Sequence, residues 1–181
     1  SELFNRFVKD LNLSDYDALN LTDTKAIALY SSELVTKTKN YKAAANWMMG
    51  AVKSYLNENA LTIDRFPLKP EKIAELIAII DEGKISNTVA STQVFPEMVK
   101  QLDKSPLQIA TELNVIQESN SDALQDFVNQ VIANNPAKVA EYKGGKINLV
   151  GMFMGEVMKL SGGKADPKMA SKLVKESLDK A

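Results

Sequence analysis

An all-α fold, in which a multi-helix domain is followed by a smaller helical tail domain, is predicted by three features of this 181-residue chain. Apolar residues recur at spacings of three and four almost throughout. No stretch sustains the period-two alternation of a half-buried strand, and capping residues, glycines and prolines punctuate the chain at helix-length intervals.

Taken in order, Ser14 followed by Asp15 and Asp17 reads as a helix start. A short side-chain oxygen accepts from the free amides of a first turn, and carboxylates complement their partial positive charge. Thr22 before Asp23 reads as the next start, opening a helix with Ala26, Leu29, Tyr30 and Leu34 on one face. Ala44, Trp47, Met48, Ala51, Val52 and Tyr55 continue the pattern. Pro70-Glu71 opens a helix carrying Ile73, Leu76, Ile77 and Ile80, which Gly83 closes. Ser86 and Pro106 mark further starts, and Ser121-Asp122 opens the run Leu124, Phe127, Val128, Val131 and Ile132. Pro136 begins another helix; Gly144-Gly145 and Gly162-Gly163 then flank a helix with Val150, Met154, Val157 and Met158. Pro167 begins the last, which buries Met169, Leu173, Val174 and Leu178. About ten helices result.

The domain boundary is expected between Ser105 and Ser121, where Pro106 and the polar run Gln117-Glu118-Ser119-Asn120-Ser121 interrupt the helical pattern, giving domains 1–111 and 112–181. Net charge does not separate them: there are 13 basic and 14 acidic residues through Thr111, and nine of each beyond.

Hydrophobic residues at 45% and charged residues at 25% place the chain among ordinary globular proteins. It has neither cysteine nor histidine. Disulfides, thiolate metal sites and cysteine nucleophiles are thereby excluded, and the side chain best suited to proton transfer near neutral pH is missing. No catalytic residue and no metal site is assigned, since carboxylate pairs such as Asp15/Asp17 and Asp81-Glu82 sit at helix ends where the helix dipole accounts for them. The apolar stretch Ile147–Leu160 is interrupted by Asn148, Glu156 and Lys159. It is shorter than the roughly 20 residues a bilayer requires, so no membrane contact is expected. Ser1–Arg6 has no signal-peptide pattern, and the start without Met reads as an excised piece of a cytoplasmic protein.

Charge is uneven within the tail. Between Lys138 and Lys175 there are eight lysines against Glu141, Glu156 and Asp166, a local excess of five. Neutralising a nucleic-acid backbone requires such an excess. Lys168, Lys172 and Lys175 fall on one helical face. The only arginines are Arg6 and Arg65, so the tail lacks the guanidinium fork that reads guanine, and any RNA recognition here is of shape and backbone. Gly144-Gly145-Lys146 and Gly162-Gly163-Lys164 lack P-loop spacing and serve first as helix ends. Gly151 and Gly155, four apart in an apolar helix, are expected to let another helix approach closely, and Trp47, Met48, Met49, Met152, Met154 and Met158 to lie in the core.

Four stretches, Ala43–Gly50 (AAANWMMG), Ala74–Ser86, Ala133-Asn134-Asn135-Pro136 and Gly151–Lys175, resemble in order and spacing the C-terminal region of the GatB/YqeY family. The resemblance implies a helical domain and tail of an aspartyl/glutamyl-tRNA(Asn/Gln) amidotransferase, which amidates mischarged Glu-tRNA(Gln) or Asp-tRNA(Asn) using glutamine, ATP and magnesium. It implies no cofactor for this region, whose parent's ATP and Mg chemistry resides in an N-terminal cradle. It further implies tRNA(Gln) or tRNA(Asn) and the amidotransferase subunits A and C as partners, with RNA-binding roles for Lys143, Lys146, Lys159, Lys164, Lys168 and Lys172. The alternatives are a docking module for the other subunits and a freestanding YqeY-like protein. The sequence departs from the family pattern at Asp166, where asparagine is frequent, at Asn87-Thr88, where Gly-Lys is frequent, and at Pro96.

Overall fold

The computed structural model describes residues 1–117 and 121–181, so part of the polar run expected at the domain boundary lies outside the described residues. All regular structure among them is helical, in eleven runs. The chain divides into two compact units, Ser1–Glu82 with Asn87–Asn114, and Gly83–Ser86 with Val115–Ala181. Gly83–Ser86 thus groups with residues that begin at Val115, and the Gln117 amide donates to the Lys84 carbonyl at 2.7 Å.

In the first unit, α1 (Glu2–Lys9), α2 (Asp15–Leu21) and α3 (Lys25–Lys37) are followed by α4. This helix runs from Tyr41–Trp47 through a π-helical turn at Met48–Val52 into Lys53–Glu58. After a 3₁₀ turn at Ile63–Arg65 come α5 (Pro70–Asp81), α6 and α7 (Pro106–Glu112); α6 runs through Asn87–Val89, a second π turn at Ala90–Val94, and Phe95–Met98. Ser14 caps α2 as expected, its Oγ accepting from Asp17 N at 3.0 Å. Thr22 does not cap α3. It ends α2, its hydroxyl donating to Ala18 O at 2.8 Å, and Thr24 takes the cap by accepting from Ile27 N at 3.1 Å. The backbone explains the exchange, because a cap requires extended geometry, which Thr24 has (ψ 161°) and Thr22 (ψ 14°) lacks. Pro96 is accommodated within α6 by the widened π turn immediately before it, which relieves the clash between a helical proline ring and the carbonyl four residues back.

Helices α3 and α5 pack together, burying Leu34, Ile73, Leu76 and Ile77. Phe66 anchors an aromatic cluster, with ring centroids 5.6 Å from Tyr55, 6.0 Å from Tyr30 and 6.3 Å from Phe95. The Tyr30 hydroxyl donates to Leu68 O at 2.8 Å. Its burial, and then the charges of Glu71 and Glu33, push its ionisation far above the usual tyrosine range. Trp47 and Met48 are buried, as expected, and Met49 is half-buried.

The second unit consists of α8 (Ser121–Asn134), α9 (Pro136–Lys143), a 3₁₀ turn at Ile147–Leu149, α10 (Val150–Leu160) and α11 (Pro167–Lys180). Its core is a three-helix contact in which Leu124 and Val128 of α8 meet Phe153 and Val157 of α10 and Val174 and Leu178 of α11. Met152, Met154 and Met158 pack half-buried against it. Polar ties fix the helices further: Gln125 Nε2 of α8 donates to Ser177 Oγ of α11 at 2.9 Å. Asn135 Nδ2 bridges Val131 O and Glu156 Oε2, each at 2.8 Å, and so joins the α8–α9 corner to α10. Among the described residues no helix is long and apolar enough to cross a membrane.

Candidate nucleic-acid interface

Both glycine pairs terminate helices through the same hydrogen-bond pattern. After α9, Lys146 N donates to Glu141 O at 3.1 Å and Gly145 N to Tyr142 O at 3.0 Å; after α10, Gly163 N donates to Met158 O at 2.8 Å and Gly162 N to Lys159 O at 3.1 Å. These six-to-one and five-to-two bonds define Schellman endings, which require a left-handed residue, supplied by Gly145 (φ 116°) and by Gly162 (φ 66°). Each turn therefore presents a lysine directly after a helix end. Ser161, buried between α10 and α11, donates to Met158 O at 3.0 Å and accepts from Ala165 N at 3.1 Å. Asp166 then caps α11 through Lys168 N at 3.2 Å, a role that aspartate fills as well as asparagine.

The predicted lysines fall in two groups on this scaffold. Lys143 ends α9 and Lys146 follows its terminal turn, at the amino-terminal side of α10. At the far end of α10, about 16 Å away along an eleven-residue helix, Lys159 lies in the last turn, Lys164 in the connection, and Lys168 and Lys172 in the first two turns of α11. Lys159 there also complements the negative pole of its helix. Five of the six are exposed, while Lys164 is half-buried and is not free.

The acids of this segment are engaged internally. Glu141 receives Lys138 at 3.1 Å and Lys146 at 3.5 Å. The hydrogen bond from Lys138, then its charge and that of Lys146, hold the carboxyl below the usual glutamate range. Glu156 accepts from Asn135, and Asp166 caps α11. Once Lys138, Lys146 and Lys164 are set aside, Lys143, Lys159, Lys168, Lys172 and Lys175 remain exposed and without an ion pair among the described residues. The family resemblance alone leaves out Lys175, although its helical spacing from Lys168 and Lys172 indicates the shared face. It also gives no sign that Lys138 and Lys146 are paired with Glu141: the spacing of three signals the first pair, while the second forms only because the chain turns back at the end of α9.

The expectation for Gly151 and Gly155 is overturned. Both are exposed, and a Cβ built on either meets nothing within 4 Å, so no neighbouring helix uses the space they leave. Both glycines lie on an exposed side of α10 together with Lys159. Among the described residues no group of three or more acidic, histidine or cysteine side chains gathers as metal ligands.

These features define a class of protein: an all-helical pair of units, one of which bears unpaired lysines around exposed helix backbone. The family model described as GatB domain matches residues 29–178, and the chain belongs to that family. Similar proteins include the GatB subunit of the aspartyl/glutamyl-tRNA(Asn/Gln) amidotransferase of Caldicellulosiruptor bescii, 41% identical over 178 residues. That alignment covers 97% of this chain and 37% of the relative. The proteins of the same description from a Synechocystis species (40%, covering 97% of this chain and 35% of the relative) and from Parasynechococcus marenigrum (38%, 96% and 35%) are similar too. The chain thus spans little more than a third of the length of these relatives.

Proposed function

We propose that this chain is the tRNA-binding C-terminal portion of the GatB subunit of a cytoplasmic aspartyl/glutamyl-tRNA(Asn/Gln) amidotransferase, acting with subunits A and C. In this reading the chemistry that uses glutamine, ATP and magnesium occurs elsewhere in the enzyme. The second unit holds tRNA(Gln) or tRNA(Asn) so that the mischarged aminoacyl end reaches that chemistry. Lys143, Lys159, Lys168 and Lys172 contact backbone phosphates, with Lys175 extending the stripe, and Lys146 and Lys164 contribute less because each already has a partner.

The observation that carries this reading is that the acids of the segment are spent on internal bonds while five exposed lysines are not. An ammonium with no internal partner exchanges only mobile counterions for a phosphate, so its contact is reported in full by the salt dependence of binding. Ammonium groups without a guanidinium fork suit recognition of backbone shape over base identity. Binding of fluorescein-labelled tRNA(Gln) and tRNA(Asn) to the 181-residue chain, followed by anisotropy at low salt, tests it. Saturable binding that weakens with added salt is expected; no binding by a chain with an intact helical circular dichroism spectrum refutes the assignment.

A further inference from the structure

Asn135 stands at the cap position of α9 without capping it. Asparagine is a favoured N-cap because its side-chain oxygen accepts from an amide of the first turn. Here that bond is not made, and Pro136, at the first helical position, has no amide to satisfy. The side-chain nitrogen of Asn135 instead donates to two oxygens, Val131 O and Glu156 Oε2, each at 2.8 Å. A carboxamide carries two N–H groups, so both are used. Neither oxygen belongs to α9: one lies in the last turn of α8, the other midway along α10.

The bond to Glu156 bears on Lys159. Residues three apart on a helix are neighbours, so Lys159 is the cation within reach of Glu156 on its own helix. The chain closes this spacing elsewhere, Glu97 with Lys100 at 3.7 Å and Lys138 with Glu141 at 3.1 Å. A second hydrogen bond does not by itself prevent such a pair, since Glu97 also accepts from Gln101 at 2.9 Å. Gln101, however, lies four residues along the same segment, whereas Asn135 lies off α10 and draws the Glu156 carboxylate toward the α8–α9 corner. Lys159 is left exposed and, among the described residues, without an ion pair.

We infer that Asn135 is a positioning residue of the RNA surface: by holding Glu156 toward the α8–α9 corner, it keeps the Lys159 ammonium available to a phosphate. Its consequence for binding rests on the tRNA reading above, while the pairing itself is a property of the free chain. Aspartate at this position could not serve, having no hydrogen to donate and a charge that repels Glu156.

The test introduces Asn135→Ala into three forms of the 181-residue chain: one with Glu156 and Lys159 intact, one carrying Glu156→Gln, and one carrying Lys159→Ala. A released Glu156 competes for Lys159 as an exposed pair at this spacing does, so anisotropy with tRNA(Gln) at low salt should show about two- to threefold weaker binding in the first form. In the other two forms Asn135→Ala should change nothing, because the carboxylate charge or the ammonium is already gone. No loss in the first form, or an equal loss in all three, overturns the proposal, the second result assigning the amide to the corner alone. Asn135→Ser, which can cap α9 but cannot span both oxygens, repeats the comparison should alanine unfold the corner. The nitrogen NMR signal of the Lys159 ammonium reports the pair without RNA. It should shift on Asn135→Ala and return with Glu156→Gln, and an unshifted signal overturns the proposal whether or not tRNA binds. A shift in a chain that binds no tRNA supports the pairing and refutes the RNA reading.

Discussion

Replacing Lys159, Lys168 and Lys172 together by alanine tests the RNA surface quantitatively. All three are exposed, unpaired among the described residues, and set at one corner of the second unit. Each phosphate contact contributes about 0.7–0.9 to the slope of log K against log salt, so losing three lowers the slope by about 2.1–2.7. Over a fourfold rise in salt, from about 50 to about 200 mM, the wild-type chain then loses about 20–40-fold more affinity than the variant does. Lys146→Ala serves as the internal comparison. Its ammonium lies 3.5 Å from Glu141, so a phosphate must displace an existing partner and the slope changes by less than it does for Lys172→Ala. Anisotropy titrations with tRNA(Gln) at several salt concentrations give both slopes. A triple variant that is folded and keeps the wild-type slope refutes the phosphate contacts, whatever its affinity at a single salt concentration.

Further predictions concern the two units separately. Phe153→Ala removes the largest fully buried side chain of the second core and costs about 3–5 kcal/mol. Amide exchange in α8, α10 and α11 should accelerate strongly while α3 and α5 keep their protection; equal acceleration in both sets would show one cooperative block. Tyr30→Phe loses the bond to Leu68 O and costs about 1 kcal/mol at neutral pH. Because burial raises the folded-state ionisation of Tyr30 above that of the unfolded chain, its stabilisation is complete below about pH 10 and is lost above it. The urea midpoint of the phenylalanine variant should therefore fall less between about pH 9 and about pH 11, and an equal fall in both proteins would contradict the burial argument. Gly151→Ala with Gly155→Ala should stabilise α10 by about 1–2 kcal/mol, since both sites are open and helical. If RNA presses on that face the same pair weakens tRNA binding, and unchanged affinity removes α10's glycine face from the interface.

How much of this is legible in the sequence depends on whether a residue's role is local. Ser14, Pro70 and the paired glycines near 145 and 162 act within one turn of backbone, and their roles as caps and helix ends follow from residue type and position alone. The three-helix core of the second unit is legible in the spacing of Leu124, Val128, Val157, Val174 and Leu178, but the reading of α10 through Val150, Met154, Val157 and Met158 leaves out Phe153, its most deeply buried large side chain. Thr22 misleads because Thr-Asp-Thr offers two hydroxyls and only the backbone torsions choose between them. Nothing in the linear order indicates that Gly83–Ser86 groups with Val115–Ala181, since the grouping is made by tertiary contact.

The site divides in the same way. A lysine excess is a count, and the count survives into the structure. Which lysines are available is a matter of pairing, decided by the reach of Glu141 toward Lys138 and Lys146, by the Asn135 amide that occupies Glu156, and by the cap at Asp166. Glycine in a helix is the hardest case, because it makes room without stating for what. Gly151 and Gly155 read as a place for a neighbouring helix, and in the folded unit they face outward with nothing against them. Each forgoes roughly 1 kcal/mol of helix propensity relative to alanine with no packing inside the unit to offset it. An RNA that approached this helix backbone more closely than a methyl group allows would account for the open glycine face beside unpaired lysines, and the alanine pair tests that reading through tRNA affinity.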